Sequence, residues 1–186
     1  DGGDGGDGGV GGVSARGGGE GEGSAFGEPR GGRRFSQRLR GAGEVADRLE
    51  GFRDLCGVVG PYLIDCLAER FETLAKDMAQ LSGHGPVREI LQETAQDLRQ
   101  IARENRDPSK PRGKARTLDG TLKSSRPVVA VAPERQASAT AQALAVLEEA
   151  QTKLLRSAEN SPARSIVQFQ RIAAAIDSSK VLLRSA

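Results

Sequence analysis

Tryptophan is absent from this 186-residue chain, and tyrosine, methionine and histidine occur once each. So few aromatic and imidazole groups exclude an aromatic-rich β-sandwich, a histidine-based metal enzyme and an aromatic platform for nucleic-acid bases. Long apolar runs are missing too: nothing approaches the roughly 18 consecutive apolar residues that a membrane span needs. The opening residues lack the charged, apolar and small-residue succession of a secretion signal. Bulky core formers are scarce, since Leu, Ile, Val and Phe together number 40. That lies near the share, roughly 20%, below which chains tend to stay unfolded. A formal net charge of only +2 means that self-repulsion does not force disorder. What remains is a helical protein built on Ala and Leu, with a portion that does not fold.

Cysteine is nearly absent. Cys56 and Cys66 are too few for a disulfide framework, and their apolar surroundings predict buried free thiols. Free thiols without a targeting segment predict an intracellular protein, cytoplasmic or nuclear. An organelle stays open because the chain starts at Asp1 and has Met78 as its single methionine, which predicts a segment ahead of Asp1.

Residues 1–34 hold 16 of the 25 glycines and only five apolar side chains, Val10, Val13, Ala15, Ala25 and Phe26. Such a stretch cannot bury enough surface to offset the entropy of ordering glycine, so a disordered Gly-rich tail is predicted. Its DGG repeat has the wrong period for a calcium-binding β-helix and lacks the proline of collagen. Its GGGEGEGS run lacks the lysine of a phosphate-binding loop.

From Phe35 the spacing becomes helical. Leu39, Ala42, Val45, Leu49, Phe52, Cys56 and Val59 form one stripe; Leu63, Leu67, Phe71, Leu74, Met78 and Leu81 form a second after Gly60-Pro61. Ser82-Gly83 reads as a stop with glycine in the left-handed position. Val87, Ile90, Leu91, Thr94, Leu98 and Ile101 form the third. Residues 35–106 are therefore predicted to be a three-helix unit. Residues 107–133 contain four prolines and no helical stripe, and six basic residues face two acidic ones up to Arg126. This reads as a basic linker, in which the apolar run Val128–Val131 is a docking segment for the helices or a partner, with a short strand as the alternative. Pro133 opens an alanine-rich helix with Ala137, Ala141, Leu144, Leu147, Leu154 and Ala158 inward. A second helix after Ser161-Pro162 carries Ile166, Phe169, Ile172, Ile176 and Leu183, so residues 134–186 are predicted to be a helical hairpin. Glu72 with Lys76 and Glu149 with Lys153 are expected to pair along their helices. The pentapeptide LLRSA at 154–158 and 182–186 is read as a chance echo. The fold class is all-α.

No group of residues converges on catalysis. His84 lies in a Gly-His-Gly-Pro turn, where a connector residue is expected. Glu89, Glu93 and Asp97 alternate with Arg88, Arg99 and Arg103, the pattern of a solvated helix surface. The expectation is no enzyme, no cofactor and no metal. Two basic clusters stand out, Arg30, Arg33, Arg34, Arg38 and Arg40, and then Lys110, Arg112, Lys114 and Arg116 at every second position. In an extended chain the second set projects to one side, a spacing suited to phosphates or another anionic surface. With only Phe35 interleaved, base stacking is not on offer. The leading expectation is a non-enzymatic interaction, adaptor or scaffold protein, a helical bundle or coiled coil in a homo- or hetero-oligomer. Leu144, Leu147, Leu154, Ile166, Phe169, Ile172 and Ile176 would form its partner-helix face. The alternatives are sequence-independent nucleic-acid binding through the basic clusters, or attachment of the same arginines to an anionic membrane.

Overall fold

Each apolar stripe becomes a helix whose bulky side chains meet those of its neighbours, and the breakers between stripes become the turns. The computed structural model describes residues 39–186. The Gly-rich tail, Phe35 and the predicted contact residues Arg30, Arg33, Arg34 and Arg38 lie outside the described residues. Seven α-helices occur among those described: α1 (Ala42–Glu50), α2 (Phe52–Cys56), α3 (Leu63–Asp77), α4 (Gly85–Glu104), α5 (Gln136–Glu159), α6 (Ala163–Ala175) and α7 (Asp177–Ser185). They make the described chain 70% helical with no strands, an all-α protein.

The helices amount to five runs, because α2 follows α1 after the single residue Gly51 and α7 follows α6 after Ile176. Gly83 takes the predicted left-handed conformation, φ +78°, between the end of the α3 run and α4. Pro61, Pro86 and Pro133 sit in opening turns, where their missing N–H costs nothing. Packing runs from α3 to α4, α4 to α5 and α5 to α6, and α1 closes the ring against α6.

One core joins all five runs. Leu49, Leu55, Leu67, Phe71, Leu74, Leu91, Leu98, Leu147, Leu154, Ile172 and Ile176 are fully buried. Phe52 meets Phe71 edge to face with ring centroids 5.1 Å apart. Residues Leu39–Ala186 thus fold as one unit, where two helical parts joined by a linker were expected. The helical hairpin itself is present, since α5 and α6 are neighbours.

Four expectations change. Cys56 and Cys66 are buried as predicted, but they are bonded to each other, with Cα atoms 5.7 Å apart. The turn at Gly57–Tyr62 folds the end of α2 back beside the start of α3, which the ten-residue separation does not announce. Closing a loop of that length contributes about 3 kcal/mol in the chain-entropy picture. On α5 the inner face is Ala139, Ala143, Leu147, Ala150, Leu154 and Ala158, while Ala137 and Ala141 are exposed. Alanine at alternate positions from 137 to 145 carries no helical period, so the stripe could not be phased. Glu72 pairs with Arg126 and Arg99 in place of Lys76, and Lys153 reaches Glu93 on α4 at 2.9 Å. Finally, residues 107–133 are not a free linker. The two LLRSA copies end different helices and bury different leucines, Leu154 in the first and Leu183 in the second, so they share no packing role.

Candidate functional site

The segment between α4 and α5 doubles back on itself. Antiparallel bridges join Arg116 to Lys123, Gly113 to Val128 and Arg106 to Val131. The reversal is built by residues 117–122. Gly120, at φ +75°, donates its N–H to the Thr117 carbonyl at 3.0 Å, and the Thr117 N–H bonds the Leu122 carbonyl at 2.9 Å. Asp119 accepts the Thr121 N–H and the Thr117 and Thr121 hydroxyls, which push its carboxyl down to about 2.

The base of this hairpin is tied to the helices. Val131 donates its N–H to the Pro61 carbonyl at 3.0 Å, and Tyr62 donates its hydroxyl to the Pro111 carbonyl at 2.7 Å. Val128, Val129, Ala130, Val131 and Ala132 are buried, so the Val128–Val131 run does dock on the helices.

Its two arms are unequal. Between the 116–123 and 113–128 bridges, Lys114 and Ala115 on the outgoing arm face Ser124–Pro127 on the return arm. Such an insertion bends the strand and re-aims side chains. Here it sends Ser125 and Arg126 onto α3. Asp65, Glu69 and Glu72 lie four and three residues apart, on one side of that helix. Arg126 donates from Nη1 and Nη2 to Asp65, both at 3.0 Å, and from Nε and Nη2 to Glu72, at 3.2 and 2.8 Å. Asp65 also accepts the Val129 N–H at 2.8 Å. The Ser125 N–H and hydroxyl both donate to Glu69 at 2.8 Å, and Thr73 and Arg70 complete that carboxylate's partners.

Two of these carboxylates are out of water: Asp65 is 2% exposed and Glu69 fully buried, while Glu72 and Arg126 are half-buried. Burial alone would raise the Glu69 carboxyl, but the bonds from Arg70 and Ser125 outweigh it and hold the group below its ordinary 4.5. Burial likewise opposes the Arg126 charge, and the bonds to Asp65 and Glu72 reverse that effect and raise it. The guanidinium forks match the carboxylates in the bidentate geometry that lysine cannot supply.

The outer side of the hairpin is different. Arg112, Lys114, Arg116 and Lys123 are exposed and make no ion pair among the described residues, while Ala115 and Ser124 point inward. Arg116 and Lys123 are bridge partners, so two like charges stand directly opposite each other, which is destabilising without a counter-charge. Leu118, at the tip, is 94% exposed. Leu122 and Val58 flank an open groove of about 420 Å³ beneath it, which Asp54, Thr117, Asp119 and Thr121 also line.

Other predicted residues are placed as follows. Arg40 is exposed, 4.0 Å from Glu44, and Lys110 is half-buried, 3.8 Å from Asp107. Leu147, Leu154, Phe169, Ile172 and Ile176 are buried in the chain's own core, and Leu144 and Ile166 pack against it. They are therefore not free for a partner helix. His84 is half-buried, with Nδ1 2.9 Å from the Ser82 carbonyl. Sequence reasoning missed Asp65, Glu69, Ser125 and Arg126. The available signal was an acidic stripe on α3, a helix buried along most of its length, where carboxylates need a buried partner. The chain matches no protein family, no curated protein and no solved structure.

Proposed function

We propose that the chain is a non-enzymatic interaction protein in which the helical body holds out a braced hairpin to an anionic partner. The observation that supports this is the contrast between the hairpin's two sides. The inner one spends Ser125 and Arg126 on buried carboxylates; the outer one leaves Arg112, Lys114, Arg116 and Lys123 in solvent without counter-charges among the described residues. A fixed row of cations loses less conformational freedom on binding than a flexible linker would. The contact surface thus moves from the helix face, which the core uses, to the hairpin. With Cys56 bonded to Cys66, the reading of compartment moves as well, toward one in which disulfides persist.

Single-stranded poly(U) serves as a probe of charge recognition. The full chain should bind it at about 50 mM salt, with log Kd varying at a slope of about 3 against log salt for four neutralised phosphates. Reversing Arg112, Lys114, Arg116 and Lys123 to glutamate should abolish binding. Binding that survives that change contradicts the proposal.

Oligomerisation is a second reading, supported by Leu155, Val167 and Val181, which are exposed on α5, α6 and α7. Light scattering tests it: a dimer that Val167→Asp dissolves supports it, and a monomer at all accessible concentrations rejects it.

A further inference from the structure

The apolar residues at the hairpin's end say which anionic surface fits. A ligand recognised through phosphates alone would use Arg112, Lys114, Arg116 and Lys123 and would leave Leu118 in water. Nucleic acid has no use for an aliphatic tip, and residues 107–131 carry no aromatic side chain on which a base could stack. A lipid surface uses both features. Cations sit at the headgroups while one or two apolar side chains enter the acyl boundary.

The layout matches that division. Leu118 is the outermost apolar side chain, 94% exposed, and Leu122 and Val58 lie behind it at 37% and 59%. Arg116 and Lys123, opposite each other, stand two and five residues from Leu118 along the two arms. The tip holds its shape before contact. The Thr117–Leu122 backbone bond, the turn at Gly120 and the three donors to Asp119 fix the loop, so little ordering entropy is lost on docking. The Asp119 carboxylate is held inside the loop by the Thr117 and Thr121 hydroxyls and the Thr121 N–H.

We infer that the hairpin docks the protein on an anionic-lipid leaflet that faces a compartment in which the Cys56–Cys66 bond persists, with Leu118 inserted and Arg112, Lys114, Arg116 and Lys123 at the headgroups. This rests on the proposed role of the hairpin as the contact element and names its partner. The attachment is peripheral, and among the described residues no helix is long and apolar enough to cross a membrane.

Flotation of the full chain with vesicles tests it, using phosphatidylcholine alone and phosphatidylcholine with about 30% phosphatidylserine, a leaflet charge at which each nearby cation strengthens binding about five-fold. The chain should float with the anionic vesicles only. Arg116→Glu/Lys123→Glu should weaken that partition more than 20-fold, and Leu118→Asp more than ten-fold. Neither change touches a buried contact, so the fold is retained. Because the chain has no tryptophan, Leu118→Trp places its one indole at the tip, excited selectively over Tyr62. Its emission should shift to the blue on anionic vesicles and stay put with poly(U). Absence of flotation, equal flotation with neutral vesicles, or an unshifted emission overturns the inference. If vesicles fail while poly(U) still binds through the four cations, only the lipid assignment falls. If neither probe binds, the proposed function falls with it.

Discussion

Helix α3 turns one side to the core and the other to the hairpin, and different forces act on each. On the first, Cys66, Leu67, Phe71 and Leu74 are buried among apolar neighbours from the other helical runs. On the second, Asp65, Glu69 and Glu72 receive Arg126, Ser125 and Val129. The apolar side is non-directional and tolerates exchange of one hydrophobe for another. The polar side has one geometry, and each buried carboxylate without its donor is costly. An apolar contact would hold the hairpin against the helix but would not fix the angle at which its outer cations point. The ionic clamp gives that orientation, and the core gives the bulk of the stability.

The largest effect that separates the two sides is truncation in the core. Phe71→Ala removes a fully buried ring and its edge contact with Phe52, and should cost about 4 kcal/mol in denaturant unfolding. Helices and hairpin should then unfold together, in one transition. Arg126→Ala comes next. It leaves Asp65 buried without its guanidinium and should cost about 3 kcal/mol. Here trypsin should cut at Lys110–Lys123 well before the helices melt, whereas the parent chain resists cleavage there; equal resistance in both breaks the distinction.

A smaller effect comes from acid. The Glu69 carboxyl is depressed in the folded state, so its contribution is fully present above its ordinary 4.5 and is lost as pH falls through the folded value. Unfolding midpoints should therefore drop on acidification below about pH 4.5. Glu69→Gln should flatten that limb, and an unchanged acid limb would contradict the role given to Glu69.

Much of the helical body was legible in the sequence. The stripes at Leu63–Met78 and Val87–Ile101 bury the residues their spacing nominated, and Gly83, Pro86 and Pro133 punctuate the chain as their chemistry dictates. Three things were not legible. The phase of α5 was hidden because alternating alanines have no helical period. The Cys56–Cys66 bond depends on a turn at Gly57–Tyr62 that brings two helix ends together. The hairpin was mistaken for a linker because prolines and charges at 107–126 resemble solvated chain, while its anchors Asp65 and Glu69 lie 56 to 64 residues from their partners. Local periodicity carries no information about such pairing. Of the basic residues at every second position, Arg112, Lys114 and Arg116 are exposed on the outgoing arm, whereas Lys110 lies in a turn 3.8 Å from Asp107. That spacing did not say that Ala115 between Lys114 and Arg116, and Ser124 on the return arm, would be buried.

Amide hydrogen exchange across residues 107–132 tests the central claim, that this segment is a folded contact element held on α3. The N–H groups of Gly113, Thr117, Ser124, Val128, Val129 and Val131 are all bonded in the structure. The account predicts that Ser124, Val128, Val129 and Val131 exchange at least a hundred-fold more slowly than the free chain, a difference that Arg126→Ala erases while α3 and α4 stay protected. Exchange of those four amides at free-chain rates in the parent protein would contradict it and return the segment to a linker.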